Sequence, residues 1–233
     1  MENLPSSWEQ EKLEAYRRLA EDLEIGYLDT DILDILIEFF ARPRSYTKSS
    51  CSGRITIMDS KYPWIKSETN IIFKKHEKIA SSDIVALLRK PFKERLWLRI
   101  QGPIYHVYSL NLEEAYTILK IAQQAGFKHS GVLSLQDNKI VVELRTGIEA
   151  SIPLKDNKTK YIEEENIESI IDLANTMLEE AKKRNKKLKT ILEKNRPEKL
   201  WDKLYSIPEL VPIVNSILKR NSQNQPTLGR RSK

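Results

Sequence analysis

The 233-residue sequence predicts an α+β fold: one compact domain with a mixed β-sheet flanked by helices, of non-Rossmann type, ending in a long C-terminal helix. Three observations lead there. Both ends of the chain carry apolar residues at helical spacing, whereas the middle carries short β-branched and aromatic runs with two-residue alternation. Neither GxGxxG after a strand nor GxxxxGKS/T occurs, so a dinucleotide fold and a P-loop are disfavoured.

The first helix is expected over SSWEQEKLEAYRRLAEDLE, where Ser6 and Glu9 have capping-box spacing and Leu13, Tyr16, Leu19, Ala20 and Leu23 share a face. A second, too apolar for the surface, runs through DTDILDILIEFFARP with Asp29 or Thr30 as cap and Pro43 as stop. Strands follow in GRITIMD, NIIFKKH, RLWLRIQ, PIYHVYS, GVLSLQ and KIVVELRT, and Asp137-Asn138 reads as a hairpin turn. Two helices interrupt them: SSDIVALLRKP, and NLEEAYTILKIAQQAGF with Asn111 as cap and Gly126 as stop. In the long helix near the C-terminus acids crowd the start and six Lys/Arg crowd residues 182–189, matching the helix dipole. Its buried stripe is Ile167, Ile170, Ile171, Ala174, Met177, Leu178 and Ala181, and PELVPIVNSILKR reads as a last packed helix.

With 39 Lys and Arg against 33 Asp and Glu the net charge is +6, and five of the six excess charges lie in residues 219–233. Residues 1–218 are therefore expected to form the domain, and 219–233 a basic flexible tail that is either solvated or an arm touching phosphates. One cysteine excludes an internal disulfide framework and multi-cysteine metal sites. No run approaches the roughly 20 apolar residues that span a bilayer, and MENLPSSWEQEK lacks the apolar core of a signal peptide. A cytoplasmic protein without a membrane partner or an obligate protein partner is expected.

Chemistry concentrates in KSSCSGRI, where three hydroxyls, a thiol, a glycine and an arginine precede a strand. Such a turn can present backbone N–H groups to an anion, with Arg54 as a bidentate fork, although serine-rich turns are also common without a ligand. Cys51 is either a nucleophile or an inert, shape-filling thiol. His76, His106 and His129 offer no metal-ligand spacing, and His106 sits in an alternating strand where a half-buried, satisfied imidazole is equally reasonable. Trp64 and Trp97 are candidates for stacking on a base or for core packing.

SYTKSSCSGRI, the strand pair ending PIYHV, EEAYTILKIAQQAGF followed by KHSGV, then GIEASIPL and the helix near IEEENI, resemble in this order the tRNA wybutosine-synthesising methyltransferase family of archaea and eukaryotes. The resemblance spans roughly residues 30–190, and SSCxGR is its most specific part. It implies methyl transfer from S-adenosylmethionine to N-4 of the tricyclic wye-base precursor 3′ of the anticodon in phenylalanine tRNA. It also implies cofactor-binding roles for Ser49, Ser50, Cys51, Ser52, Gly53, Arg54, Ser130 and Gly131, and catalytic roles for His106 and His76, with no metal. The sequence departs from the pattern at His129, Lys48 and Thr146. A non-catalytic module that binds an anticodon stem-loop is the alternative of another class.

Overall fold

A computed structural model describes residues 4–136, 139–196, 208–212 and 214–215. The Asp137-Asn138 turn and the 219–233 tail lie outside the described residues. The described chain carries five α-helices, α1 (Ser6–Glu24), α2 (Leu33–Ala41), α3 (Ser81–Leu88), α4 (Leu112–Ala125) and α5 (Ile167–Lys194). Its eight strands are β1 (Ser45–Cys51), β2 (Arg54–Asp59), β3 (Asn70–Lys75), β4 (Arg95–Gln101), β5 (Ile104–Ser109), β6 (Gly131–Gln136), β7 (Lys139–Arg145) and β8 (Glu149–Asp156). Among the described residues no helix is long and apolar enough to cross a membrane.

The α+β class and the long C-terminal helix are as expected, but the strands form two sheets in which every pairing is antiparallel, in place of one mixed sheet. Their orders are β1-β5-β7-β6 and β3-β2-β4-β8. The reason lies in the connections. β1 passes into β2 through Ser52-Gly53, β4 into β5 through Gly102-Pro103, and β7 into β8 through residues 146–148. Links of two or three residues are too short for the crossover that parallel strands need. Each carries the chain from one sheet straight into the other, and since β1-β5-β7 faces β2-β4-β8 in the same order, the three links lie side by side as a seam.

Close approach of backbones makes the seam. A Cβ at Gly102 would stand 2.2 Å from Thr146 Oγ1 and 2.9 Å from the Ile148 carbonyl, to which Gly102 N–H donates at 2.9 Å. A Cβ at Gly53 would lie 3.2 Å from the Gln101 carbonyl, and Gly53 has φ +97°, which side chains rarely adopt.

Two cores lie behind the sheets. One packs Tyr46, Tyr105, Val107 and Leu144 against α1, α2 and α4; the other packs Ile55, Ile57, Leu98 and Ile100 against α3. α5 joins them, placing Ile171 and Leu178 in the second core and Leu188 and Leu192 in the first. Its basic run is partly docked: Lys182 reaches Asp31 and Lys189 reaches Asp34. Of the predicted last helix, a turn at Pro208–Leu210 is described, and Leu210 and Val214 are buried in the first core.

Local signals explain α4, where Asn111 Oδ1 accepts from Glu114 N–H at 2.9 Å and Gly126 closes the helix at φ +91°. The predicted capping box of α1 is not formed, because Pro5 is the cap and Ser6 already belongs to the helix.

Replacing Gly102 by alanine is expected to cost about 2 kcal/mol or more, since both blocking atoms belong to the seam. Gly131, whose Cβ would meet nothing within 4 Å, is the control. At roughly 2–4 °C per kcal/mol for a chain of this size, thermal unfolding should show a clear fall in Tm for Gly102→Ala and almost none for Gly131→Ala.

Candidate functional site

Strand alternation divides each strand at the seam. Ile55 and Ile57 of β2, Leu98 and Ile100 of β4, and Leu144 of β7 point into the cores, so their neighbours open on the other face. There Arg54, Thr56, Arg99, Gln101, His106, Glu143 and Arg145 line a cleft of about 1130 Å³. β1 is an edge strand, and the cleft continues along it beside α1, so that residues 47–51 border it. A bulge at Lys48 breaks the register between Thr47 and Ser49, placing Ser49 opposite His106.

The cleft is cationic. Arg54 Nε donates to Gln101 Oε1 at 3.2 Å, and Arg99 Nη1 to the Pro63 carbonyl at 3.0 Å. Among the described residues neither forms an ion pair, whereas Arg145 pairs with Glu149 at 2.5 Å. Burial lowers the pKa of Arg99; Glu149 opposes that, and Arg54 and Arg145, the other two cations on this face, add to it. Bringing an anion here would relieve that crowding. His106 Nε2 lies 3.1 Å from Glu143 Oε2 across the β5–β7 pair. The Ser50 hydroxyl is buried with no hydrogen-bond partner among the described residues.

Behind the cleft wall a second group of side chains holds the Ser52-Gly53 link. Ser52 N–H donates to Asp29 Oδ2 at 2.8 Å, and the Ser52 carbonyl accepts from Asn185 Nδ2 at 3.0 Å. His76 Nδ1 lies 3.2 Å from Asp29 Oδ2 and 3.1 Å from the Gly53 carbonyl, two acceptors that require the nitrogen to carry a proton. Cys51 Sγ is 4.0 Å from the same nitrogen. The bond to Asp29, with that to Cys51, pushes the His76 pKa up to about 9. Burial pushes Asp29 upward, but His76 and the Ser52 N–H outweigh it and hold the carboxylate below its ordinary range.

The predicted site residues therefore separate. Ser49, Ser50, Cys51, Arg54 and His106 line the cleft. Ser52 is 0% exposed and, with Gly53, shapes the link from behind. His76 does not line the cleft and belongs to the supporting group. Ser130 Oγ donates to the Phe127 carbonyl at 2.7 Å and accepts from Arg145 N–H at 3.0 Å, so it braces a cleft residue from outside; Gly131 opens the edge strand β6, away from the cleft lining. The serine-rich segment, expected as a turn, is strand β1 as far as Cys51, because pairing with β5 overrides local turn preference. Asp29 spends its carboxylate on Ser52 and His76 and makes no side-chain cap to the following helical turn.

Asp29, Cys51 and His76 also bring one oxygen, one sulfur and one nitrogen within 4.8 Å of each other, a donor spacing that suits a metal ion. The direct Asp29–His76 bond satisfies the ring nitrogen without one.

Arg99, Arg145, Gln101, Glu143 and Asn185 have no role in the sequence reading, and Asp29 appears there only as a helix cap. Alternation in RLWLRIQ and KIVVELR marks the first four as open-face residues, whereas nothing local marks Asn185, or marks Asp29 as anything but a cap.

A cleft of this volume, with clustered cations, an oriented imidazole and an orphaned hydroxyl, has the form and chemistry of a small-molecule pocket rather than of a flat docking face. Comparison with known proteins gives the class. The family model described as "Methyltransferase TYW3" matches residues 9–194, and the chain belongs to that family. A Saccharolobus solfataricus protein named tRNA(Phe) 7-((3-amino-3-carboxypropyl)-4-demethylwyosine(37)-N(4))-methyltransferase is 43% identical over 186 residues, covering 79% of this chain and 89% of that one. An Aeropyrum pernix protein of the same name is 32% identical over 165 residues, 70% of this chain and 87% of that one. Among solved structures, PH1069 protein from Pyrococcus horikoshii aligns with a TM-score of 0.75 at 29% identity, covering 79% of this chain and 95% of the other.

His76 is charged over a wider pH range folded than unfolded. Its folded pKa, about 9, exceeds the unfolded value of about 6.5. The stability it adds is therefore complete below about pH 6.5 and disappears as pH rises through about 9. Denaturant midpoints of wild type and His76→Gln should converge across that window, and an NMR titration of the His76 ring should show a midpoint well above that of a free imidazole.

Proposed function

We propose that this protein transfers a methyl group from S-adenosylmethionine to N-4 of the 4-demethylwyosine-type base at position 37 of phenylalanine tRNA. The observation that carries the reading is the 43% identity, over most of both chains, to a protein named for that reaction. The chemistry of the cleft supports it. The cleft volume exceeds what one small molecule needs and suits a donor and an extruded base together. S-adenosylmethionine, when bound, supplies an electrophilic methyl group attached to a sulfonium.

In this reading Ser49, Ser50, Cys51 and Arg54 hold the donor, with the Ser50 hydroxyl gaining the partner it lacks and the Arg54 guanidinium gripping a carboxylate. The edge of β1 adds backbone groups that no strand pairs among the described residues. Methyl transfer to a ring nitrogen needs alignment at about 3–3.5 Å and removal of the ring N–H proton. His106 takes that proton: its Nε2–H donated to Glu143 leaves the lone pair on Nδ1, and the carboxylate steadies the imidazolium that results. His76, charged near neutrality, is a positioning residue that fixes the Gly53 carbonyl and so the direction of Arg54. Ser52, Gly53, Ser130 and Gly131 act through the backbone they shape. The catalytic unit lies within residues 1–218, needs no obligate protein partner and works in the cytoplasm on its tRNA.

Incubation with labelled S-adenosylmethionine should label tRNA that carries the demethylated precursor and leave tRNA with unmodified guanosine at that position unlabelled. Absence of label from the precursor, with folded protein, would overturn the enzyme reading and leave an RNA-binding module. Arg54→Ala should lower turnover roughly 10- to 100-fold at every salt concentration, as loss of a charge-assisted bond predicts. Cys51→Ser should keep at least roughly a tenth of the rate, because an essential nucleophile would cost several orders of magnitude.

A further inference from the structure

The loop between β2 and β3 holds two aromatic rings in a way the packing of the protein does not explain. Trp64 is 71% exposed and Tyr62 is 38% exposed. They stack on each other, with centroids 4.9 Å apart and planes 10° from parallel. A single exposed aromatic is ordinary, but a flat, parallel pair with a bare outer face leaves apolar surface in water that a core would have taken up.

The loop beneath the rings is pinned. Ser60 is 0% exposed; its N–H donates to the Arg95 carbonyl and its own carbonyl accepts from Trp97 Nε1, each at 3.0 Å. Ser60 Oγ donates to the Tyr62 carbonyl at 2.7 Å, Thr69 Oγ1 to the Ile65 carbonyl at 2.6 Å, and Arg99 Nη1 to the Pro63 carbonyl at 3.0 Å. These bonds fix the backbone on both sides of the rings and leave the rings outside. Trp97, by contrast, is 9% exposed and spends its N–H on Ser60, so it belongs to the frame and cannot stack on a ligand.

Position and charge point to the occupant. Pro63, between the two aromatics, and Thr69 line the cleft, so the pair stands on its rim. Arg99 reaches from the cleft wall to the loop, and Lys61 Nζ lies 5.9 Å from the Tyr62 ring centroid. Cations beside an open aromatic face are what an unpaired nucleotide meets: the base stacks, and the phosphate finds a positive neighbour. A base drawn into the cleft leaves its neighbours in the loop unstacked, and one of them can recover that stacking on the rim.

We propose that the Trp64–Tyr62 pair is a stacking platform for an unpaired nucleobase of the RNA, adjoining the nucleotide that enters the cleft. The proposal rests on the tRNA reading above only for the identity of the RNA, and its test does not use methyl transfer. Trp64→Ala should weaken binding of phenylalanine tRNA roughly 5- to 150-fold, the range found for removing one base–aromatic stack, whereas Trp64→Phe should stay close to wild type. Binding of the tRNA should quench tryptophan emission in wild type, and the quench should be largely lost in Trp64→Phe although that variant still binds. A fully paired RNA stem without the loop should give no such quench. Unchanged tRNA affinity in Trp64→Ala would overturn the proposal and point the platform toward a protein partner, and so would a quench that persists in Trp64→Phe. If the tRNA binds with Trp64-dependent quenching and no methyl is transferred, the catalytic reading fails while the platform stands.

Discussion

At the seam, backbone touches backbone. The Gly102 N–H bonds to the Ile148 carbonyl, and the space where a side chain would stand is filled by Thr146; one connection away, Gly53 takes a left-handed φ against the Gln101 carbonyl. Three strand pairs can bend together only because these links are short and nearly bare. The bend sets a concave face opposite the cores, and strand alternation then populates that face without further cost: Arg54, Thr56, Arg99, Gln101 and Arg145, each next to a core Ile or Leu, line the cleft. Arg54, Arg99 and Arg145, which come from β2, β4 and β7, meet because their strands share one bend.

The seam alone would leave the Ser52-Gly53 link free to shift, and the groups behind it prevent that. Asn185, buried on α5, accepts from Tyr105 Oη at 2.8 Å and donates to the Ser52 carbonyl, tying helix, strand and link through one amide. Asp29 and His76 hold the other side. Further along, a buried Arg42–Glu114 pair, with Arg42 Nη1 on the Asn195 carbonyl, docks the end of α5 on α2 and α4. α5 contributes to both cores and so ties the two sheets together, and Asn185 on its buried face reaches the Ser52 carbonyl behind the cleft wall. Breaking one member of such a buried network leaves its partners unsatisfied, which costs more than the bond itself contributes.

Much of this was legible in the residues. α1 and α4 follow the predicted segments, and the runs around Ile55, Leu98, Val107 and Val142 are strands because their alternation can be satisfied only by a half-buried sheet. β8 escaped because EASIPLKD mixes a proline and charges into a weak alternation, and becomes a strand by pairing with β4. The serine-rich segment differs in form though not in place: its serines favour a turn in isolation, and pairing with β5 makes the segment a strand. Of the candidate histidines, His106 reached the cleft and His76 went to the supporting group, a division that local sequence carries no sign of.

Sequence by itself determined the helices and six of the eight strands, the α+β class, the long helix and the segment around which the cleft forms, because propensity, periodicity and capping act within a few residues. Tertiary structure alone decided that the strands make two antiparallel sheets meeting at one seam. It decided too that Asp29, Cys51, Ser52, His76 and Asn185, drawn from β1, α5 and three connections, meet at one link, and that of two candidate tryptophans Trp97 is framework and Trp64 faces solvent. Those outcomes depend on close packing between segments far apart in the chain, where the approach of two backbones or the satisfaction of one buried carbonyl outweighs any local preference.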